Sequence, residues 1–144
     1  MPREKNYNFL EHMVDAFIEA RGKNLEEAFE SAGMALVDTM VHIEKIDEKI
    51  EDYIKVNGWD LKSLLYNWLE DLLIKVTSEG RVYSSFNVKI SRKNGNYELE
   101  AIGRGEELDI SKHEPKTEVK AVTYHMMEIK KSKKGVTLRF LLDL

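Results

Sequence analysis

The second half of the chain constrains the fold most, because after Gly80 apolar and polar residues alternate with a period of two. Asn94-Gly95 separates two of these runs, and this dipeptide is typical of a type I′ turn between antiparallel strands. Two further alternating runs cover residues 118–130 and 136–144, with a turn at 132–135 between them. The pattern therefore predicts four consecutive antiparallel strands.

Two helices are predicted before these strands, each with a polar N-cap residue and an apolar stripe. Asn24 is a typical N-cap, and Glu27 stands at the capping-box position three residues later. Gly33 inside this helix indicates a close packing neighbour. Asp60 begins the second helix, and Gly80 favours its end. The apolar stripes are Leu25, Ala28, Phe29, Ala32, Leu36 and Met40 in the first helix and Leu61, Leu64, Leu65, Trp68, Leu72 and Val76 in the second.

Strands are also predicted ahead of both helices. Residues 7–21 alternate until Gly22, and Asp15 lies where this segment bends into a second strand. Residues 50–56 alternate as well, before Asn57-Gly58. The Gly103-x-Gly105 segment is interpreted as a turn in a polar loop that ends near Pro115. This order predicts a single α+β domain over residues 1–144, with two α-helices packed on one face of an antiparallel β-sheet.

Composition narrows the classes of function. The net charge is −4, with acidic and basic residues interspersed, which argues against a general nucleic-acid binder. The absence of cysteine excludes disulfides, thiolate zinc sites and a cysteine nucleophile. No apolar run approaches the roughly 18 residues of a membrane span, and residues 1–6 lack the apolar stretch of a signal peptide. We therefore expect a cytoplasmic domain that does not associate with membranes.

Two aspartates lie in apolar strand sequences near opposite ends of the chain. Asp15 precedes Ala16-Phe17-Ile18, and Asp143 stands between Leu142 and Leu144. A charged group in such surroundings normally has a partner or a metal ion. If the two strands are neighbours, several hard oxygens converge, and Ca²⁺ or Mg²⁺ would relieve their repulsion. The alternative is that each acid simply reaches solvent at a strand end.

Three further residues are candidates for acid–base or ligand roles. His12 lies three residues before Asp15, and with His125 on an adjacent strand it could form a polar site containing an acid. Lys120 is predicted to share a strand face with Tyr124, where a neighbouring carboxylate or phosphate would make it functional. For all three side chains, a solvated or structural role is the alternative.

The chain resembles the archease family over essentially its whole length. The opening Phe9-Leu10-Glu11-His12-x-x-Asp15 is similar to that family's signature, although Met13-Val14 replaces its usual threonine and small residue. Further matching segments follow in the family's order: Leu64-Leu65-Tyr66-Asn67-Trp68-Leu69, Gly103-x-Gly105-Glu106, Glu118-Val119-Lys120-Ala121-Val122-Thr123-Tyr124-His125 and Leu142-Asp143-Leu144.

The resemblance implies a function that the periodicity does not reveal. Archeases activate RtcB-type RNA ligases, which join RNA ends in tRNA splicing and RNA repair. They promote guanylylation of the ligase from GTP and sustain multiple turnover, so this chain is expected to be a protein cofactor and not itself an enzyme. Contact with tRNA is expected through the ligase.

The resemblance also implies a metal site. A divalent cation, Ca²⁺, Mg²⁺ or Mn²⁺, is expected on Asp15, Asp143 and a main-chain or terminal oxygen of Leu144. His12 and Lys120 match positions that are functionally important in the family, and the resemblance assigns them no specific role. A small metal-dependent enzyme with His12 or His125 as base, and an RNA-binding or chaperone module, are the alternative functions.

Overall fold

Helices and strands cover most of the computed structural model, which describes residues 6–10 and 15–144. The residues 11–14, and with them Glu11 and His12, lie outside this description. The strands are β1 (Tyr7–Leu10), β2 (Asp15–Gly22), β3 (Ile50–Gly58), β4 (Arg81–Lys93), β5 (Asn96–Glu107), β6 (Ala121–Ser132) and β7 (Gly135–Asp143). The helices are α1 (Leu25–Met40), α2 (Leu61–Thr77) and the single turn α3 (Ile110–His113), with a 3-10 turn at Ile43–Lys45.

The strands form two antiparallel sheets, with the orders β1-β2-β7-β6 and β3-β5-β4. The α+β class is confirmed, but the strands divide between two sheets instead of forming one. Helix α1 packs against β2 and β4, and α2 packs against β3 and β6, so each helix contacts both sheets. Local patterns in the sequence indicate that a segment is a strand. They do not indicate which strand it pairs with, because paired strands such as β2 and β7 can be far apart in the sequence.

Both predicted helix N-termini are confirmed by their capping bonds. The Glu27 N–H donates to the Asn24 side chain at 2.9 Å, although the Glu27 carboxylate accepts from the Lys23 N–H at 3.1 Å and not from the N-cap residue. At α2, the Asp60 side chain accepts from the Ser63 N–H at 2.8 Å, and the Ser63 hydroxyl accepts from the Asp60 N–H at 3.1 Å. These bonds satisfy backbone donors that have no partner inside the helix.

The core lies where α1 and α2 meet the two sheets. Trp68 is fully buried, and its indole N–H donates to the Phe29 carbonyl at 2.9 Å. A Cβ at Gly33 would approach Leu72 and Phe86 to 3.0 Å, which confirms the close packing predicted at this position. The residues predicted for the two apolar stripes are all buried or partly buried.

The β4–β5 hairpin confirms one prediction and corrects another. Asn94 and Gly95 have φ values of 55° and 82°, the left-handed pair that a type I′ turn requires. The interpretation of Gly103-x-Gly105 as a turn is wrong, because both glycines lie within β5. A Cβ at Gly105 would meet the Val82 carbonyl and the Tyr83 Cα, so glycine is needed here for the close approach of β4.

The last hairpin contains an irregularity that alternation could not predict. The β6–β7 pairing jumps from Thr123↔Leu141 to Glu128↔Arg139, so residues 124–127 lie opposite Phe140 alone. This bulge includes Met126, whose φ is 61°. Strand β6 begins at Ala121, one residue after Lys120, and Tyr124 lies in the bulge, so the shared strand face of Lys120 and Tyr124 stays a prediction. In the described residues, no helix is both long and apolar enough to cross a membrane.

Candidate functional site

The two aspartates singled out in the sequence face each other across neighbouring strands. Strand β2 begins at Asp15, β7 ends at Asp143, and the antiparallel register pairs these two residues directly. Directly opposed residues in an antiparallel pair project their side chains from the same face, with Cβ atoms about 4.5–5.5 Å apart. The condition for a shared site, that the two strands are neighbours, is therefore met.

The alternation of β7 explains why Asp143 is exposed beside a buried core. Leu138, Phe140 and Leu142 point inwards and are fully buried, whereas Asp143 lies on the opposite, outer face. Leu144 returns to the inner face and packs against the core, partly buried. Packing of Leu144 therefore fixes the main chain immediately after the aspartate.

Strand β6 completes the end of the sheet. Ala121 pairs with Asp143, and the Lys120 N–H donates to the Asp143 carbonyl at 2.8 Å. The structure therefore brings the main chain of Lys120 to the aspartate pair. Because Ala121 is small, the outer face beside Asp143 carries no bulky side chain from this strand.

His125 does not join the aspartates at this end. It lies exposed in the bulge, and its N–H donates to the Thr123 hydroxyl at 3.0 Å. The neighbouring Tyr124 ring stacks on Tyr66 of α2, with centroids 4.4 Å apart and planes 6° from parallel. This stacking fixes the bulge against α2. His12 falls outside the described residues, so the predicted pairing of the two histidines stays a prediction.

The donor atoms at the aspartate pair are of the kind that binds hard divalent cations. Ca²⁺ and Mg²⁺ prefer carboxylate and carbonyl oxygens, and Asp15, Asp143 and the oxygens of Leu144 supply only oxygen. Like charges directly opposite on a sheet are unfavourable, and a cation between them offsets that cost. Within residues 6–10 and 15–144, no group of three or more His, Cys, Asp or Glu residues could hold a metal ion. The aspartate pair supplies only two acidic side chains, so a cation held there would need main-chain or water oxygens as its remaining ligands.

A second polar cluster, which the sequence analysis did not predict, surrounds the buried Glu106. Its Oε2 accepts from the Asp47 N–H at 2.8 Å, and the Lys112 ammonium lies 2.7 Å away. The fully buried His113 approaches the same oxygen through Nε2 at 2.9 Å. Since the Asp109 N–H donates to His113 Nδ1, the proton of the neutral ring lies on Nε2 and is donated to Glu106.

This cluster is built to hold a carboxylate in its charged form. Burial alone raises the pKa of Glu106, but hydrogen bonds from Lys112, from the Asp47 N–H and from His113 together lower it to about 2. A carboxylate with such a low pKa is a poor proton acceptor at neutral pH. We therefore assign Glu106 a structural role, in which it ties the segment around Asp47 and helix α3 to β5. In the sequence, the Gly103-x-Gly105-Glu106 motif was the signal that could have pointed to Glu106, but its glycines were interpreted as a turn.

Comparison with known proteins identifies the family. The family model described as the Archease protein family (MTH1598/TM1083) matches residues 7–144. The chain belongs to the archease family. A protein archease of Pyrococcus furiosus is 47% identical over 131 residues, which cover 91% of this chain and 92% of that protein. A protein archease of Sulfurisphaera tokodaii is 41% identical, covering 97% of this chain and 99% of its own length.

The archease fold is also seen in a solved structure. The solution structure of Methanobacterium thermoautotrophicum protein 1598 matches with a TM-score of 0.86 and 37% identity, covering 98% of this chain and 100% of that one. The family resemblance inferred from the sequence is thereby confirmed.

Proposed function

We propose that this archease activates an RtcB-type RNA ligase in the cytoplasm, promoting guanylylation of the ligase and its multiple turnover in tRNA splicing and RNA repair. The observation that carries the proposal is the direct pairing of Asp15 with Asp143 at the end of the four-stranded sheet, in a chain of the archease family. The protein acts as a cofactor of the ligase and contacts tRNA through it.

Asp15, Asp143 and an oxygen of Leu144 would hold a divalent cation in this proposal. When bound, the cation supplies positive charge that can attract the phosphates of GTP or a carboxylate of the ligase. The chain's own residues position that charge: the β2–β7 pairing sets the spacing of the two carboxylates, and packing of Leu144 orients the main chain beside them. The Lys120 N–H orients the last peptide of β7 through its bond to the Asp143 carbonyl.

The decisive experiment measures RNA ligation by a cognate ligase, with GTP, in the presence and absence of this protein. We expect product to exceed one equivalent per ligase only when the protein is present, and the guanylylated ligase to accumulate faster. Unchanged turnover at a saturating concentration of the protein would reject the activator role.

Variants separate the metal site from the fold. Asp15→Asn and Asp143→Asn keep the side-chain size but remove the charge, and each is expected to lower stimulation at least tenfold. Glu128→Gln is the matched control, because Glu128 lies exposed on β6 of the same sheet, where it pairs with Lys130 at 3.5 Å. Full stimulation by both aspartate variants would reject the metal site while leaving the activator role intact.

A second readout does not depend on the ligase. Ligand that binds only the folded state stabilises it by about 2.7 kcal/mol at a concentration of 100 Kd. We therefore expect Ca²⁺ or Mn²⁺ to raise the Tm of the unmodified protein and of Glu128→Gln but not of the two aspartate variants. An equal rise in all four proteins would place the cation elsewhere.

A further inference from the structure

A cleft with an exposed tryptophan lies at the end of the three-stranded sheet opposite the Glu106 cluster. It has a volume of about 480 Å³, within the range of about 300–1,000 Å³ that ligand sites occupy. Its walls come from the end of β3, from α2 and from the tip of the β4–β5 hairpin. The lining residues that matter here are Asn57, Trp59, Asn67, Lys93, Asn96 and Tyr97.

Trp59 is the unusual member of this set. Its side chain is 73% exposed, whereas Trp68, the other tryptophan of the chain, is completely buried. Tryptophan is highly buried on average, so an indole presented at the wall of a cleft is available for stacking against a flat ligand. The capping box of Asp60 and Ser63 fixes the start of α2, and it thereby fixes the backbone next to Trp59.

Side-chain amides supply the polar part of the cleft. Asn67 donates through Nδ2 to the Asn57 carbonyl at 2.7 Å, which fixes the orientation of its amide and leaves Oδ1 as an acceptor. Asn57 and Asn96 are exposed at the two rims. Asparagine amides combine a donor and an acceptor, the pair that matches the edge of a nucleobase.

The charges at the cleft favour an anionic group on the ligand. Lys93 lies in the lining, and the guanidinium of the preceding Arg92 sits 5.1 Å from the centroid of the Tyr97 ring. The carboxylate of the lining, Glu98, is paired with Lys55 at 3.6 Å. The hairpin tip is thus a local basic surface on a chain whose net charge is −4.

We propose that this cleft binds a nucleobase with its phosphate, the base stacking on Trp59 and the phosphate meeting Lys93. A stacking indole, hydrogen-bonding amides and a lysine are the combination by which proteins bind unpaired nucleotides. Free nucleotides and the unpaired end of an RNA share this chemistry, and the experiment below distinguishes them. The inference concerns the isolated protein, so its failure would leave the proposed ligase activation untouched.

Intrinsic fluorescence tests occupancy directly, because the ligand can reach Trp59 but not the buried Trp68. The full chain is titrated with AMP, with adenosine, with an unpaired five-nucleotide oligoadenylate and with a blunt RNA duplex. We expect saturable quenching by AMP or the oligonucleotide and none by the duplex. Tighter binding of the oligonucleotide than of AMP identifies an RNA end as the ligand, and equal binding identifies a free nucleotide. No quenching by either at millimolar concentration would overturn the proposal.

Variants test the stacking residue by the polarisation of a labelled oligoadenylate. Removing the aromatic partner of a stacked base typically weakens binding by about 5- to 150-fold, so Trp59→Ala is expected to weaken binding within this range, and Trp59→Phe less. Tyr53→Ala is the matched control, because Tyr53 is an aromatic residue of β3 that is 59% exposed and lies outside the cleft lining. Equal losses in Trp59→Ala and Tyr53→Ala would refute a specific site.

Lys93→Gln tests the phosphate contact. It is expected to reduce the slope of log affinity against log salt by about 0.7, while the binding of adenosine stays the same. Lys133→Gln is its control, because Lys133 is exposed in the turn of the other hairpin, between β6 and β7. If both lysine variants change the salt dependence equally, binding reflects general charge and the cleft is not the site.

Discussion

The Glu106 cluster allows a quantitative prediction for the single substitution Glu106→Gln. Glutamine has nearly the same shape, so the change removes the negative charge without creating a cavity. One carboxylate oxygen receives the Asp47 N–H, the Lys112 ammonium and His113 Nε2, and the Lys49 ammonium lies 3.4 Å from the other oxygen. A neutral amide can retain some of these hydrogen bonds, but it loses the charge that makes them strong, and its NH₂ group faces a cation.

The magnitude follows from the pKa of Glu106. Burial raises this pKa, but the hydrogen bonds from Lys112, Asp47 and His113 outweigh burial and lower it from 4.5 to about 2. A difference of this size between the folded and unfolded states corresponds to about 3 kcal/mol of stability at neutral pH. Because the pKa is lower in the folded state, this stabilisation is fully present above pH 4.5 and is lost as the pH falls towards 2.

Urea denaturation at a series of pH values measures the effect. We expect Glu106→Gln to lower the free energy of unfolding by about 3 kcal/mol at pH 7, and we expect this difference to shrink as the pH falls from 4.5 towards 2. Glu107→Gln is the control: its side chain is 85% exposed and lies 3.7 Å from Arg81, so removing this charge costs at most about 0.5 kcal/mol. A loss under about 1 kcal/mol for Glu106→Gln, or one that does not change with pH, would refute the reasoning.

Two further pairs of substitutions test the packing around Gly105 and the N-cap of α2. Gly105→Ala places a Cβ against the backbone of Val82 and Tyr83, which no side-chain movement relieves, so we expect a loss of about 3 kcal/mol or more in the same urea assay. Gly33→Ala, for which the nearest contacts of the added Cβ are the side chains of Leu72, Phe86 and Trp68, is expected to cost less, and equal losses would contradict the backbone explanation. Asp60→Ala removes the N-cap of α2 and is expected to lower stability by about 1 kcal/mol, an effect that Asp60→Asn should largely avoid.

The elements with strong local signals were predictable from the sequence. The position of the hairpin could be predicted from Asn94-Gly95, because only a few dipeptides adopt the left-handed conformation at two successive residues at a low cost in free energy. Asn24 and Asp60 located the helix starts because their side chains bond the backbone three residues later. Each of these signals depends on contacts between residues close in the sequence.

The features that were missed depend on contacts between distant residues. Gly103 and Gly105 resemble turn residues locally, and their place within a strand is explained only by the approach of β4. The bulge at residues 124–127 has no hydrophobic periodicity that would reveal it. It is held in place by the stacking of Tyr124 on Tyr66, a residue of α2. The division of the strands between two sheets depends likewise on partners far along the chain.

The candidate site was partly predictable, because an acid in an apolar strand is informative by itself. Asp15 and Asp143 could be selected as residues, but their pairing required the register of β2 on β7. The motif that ends at Glu106 marked one residue of the second cluster, but its donors come from Asp47, Lys112 and His113, on segments whose contacts with β5 no local pattern reveals.

The outer face of the β2–β7 pair carries two directly opposed pairs of charged residues, one with opposite charges and one with like charges. Glu19 is paired with Arg139, whose guanidinium lies 2.9 Å from the carboxylate, and this arrangement stabilises the strand pair. Four residues along β2 the same face pairs Asp15 with Asp143, two groups of like charge. Directly opposed carboxylates repel each other, and a divalent cation between them would relieve that repulsion. The proposed cation site is tied to this like-charge pair and not to the Glu19–Arg139 pair, because a cation would be repelled where a guanidinium already neutralises the carboxylate.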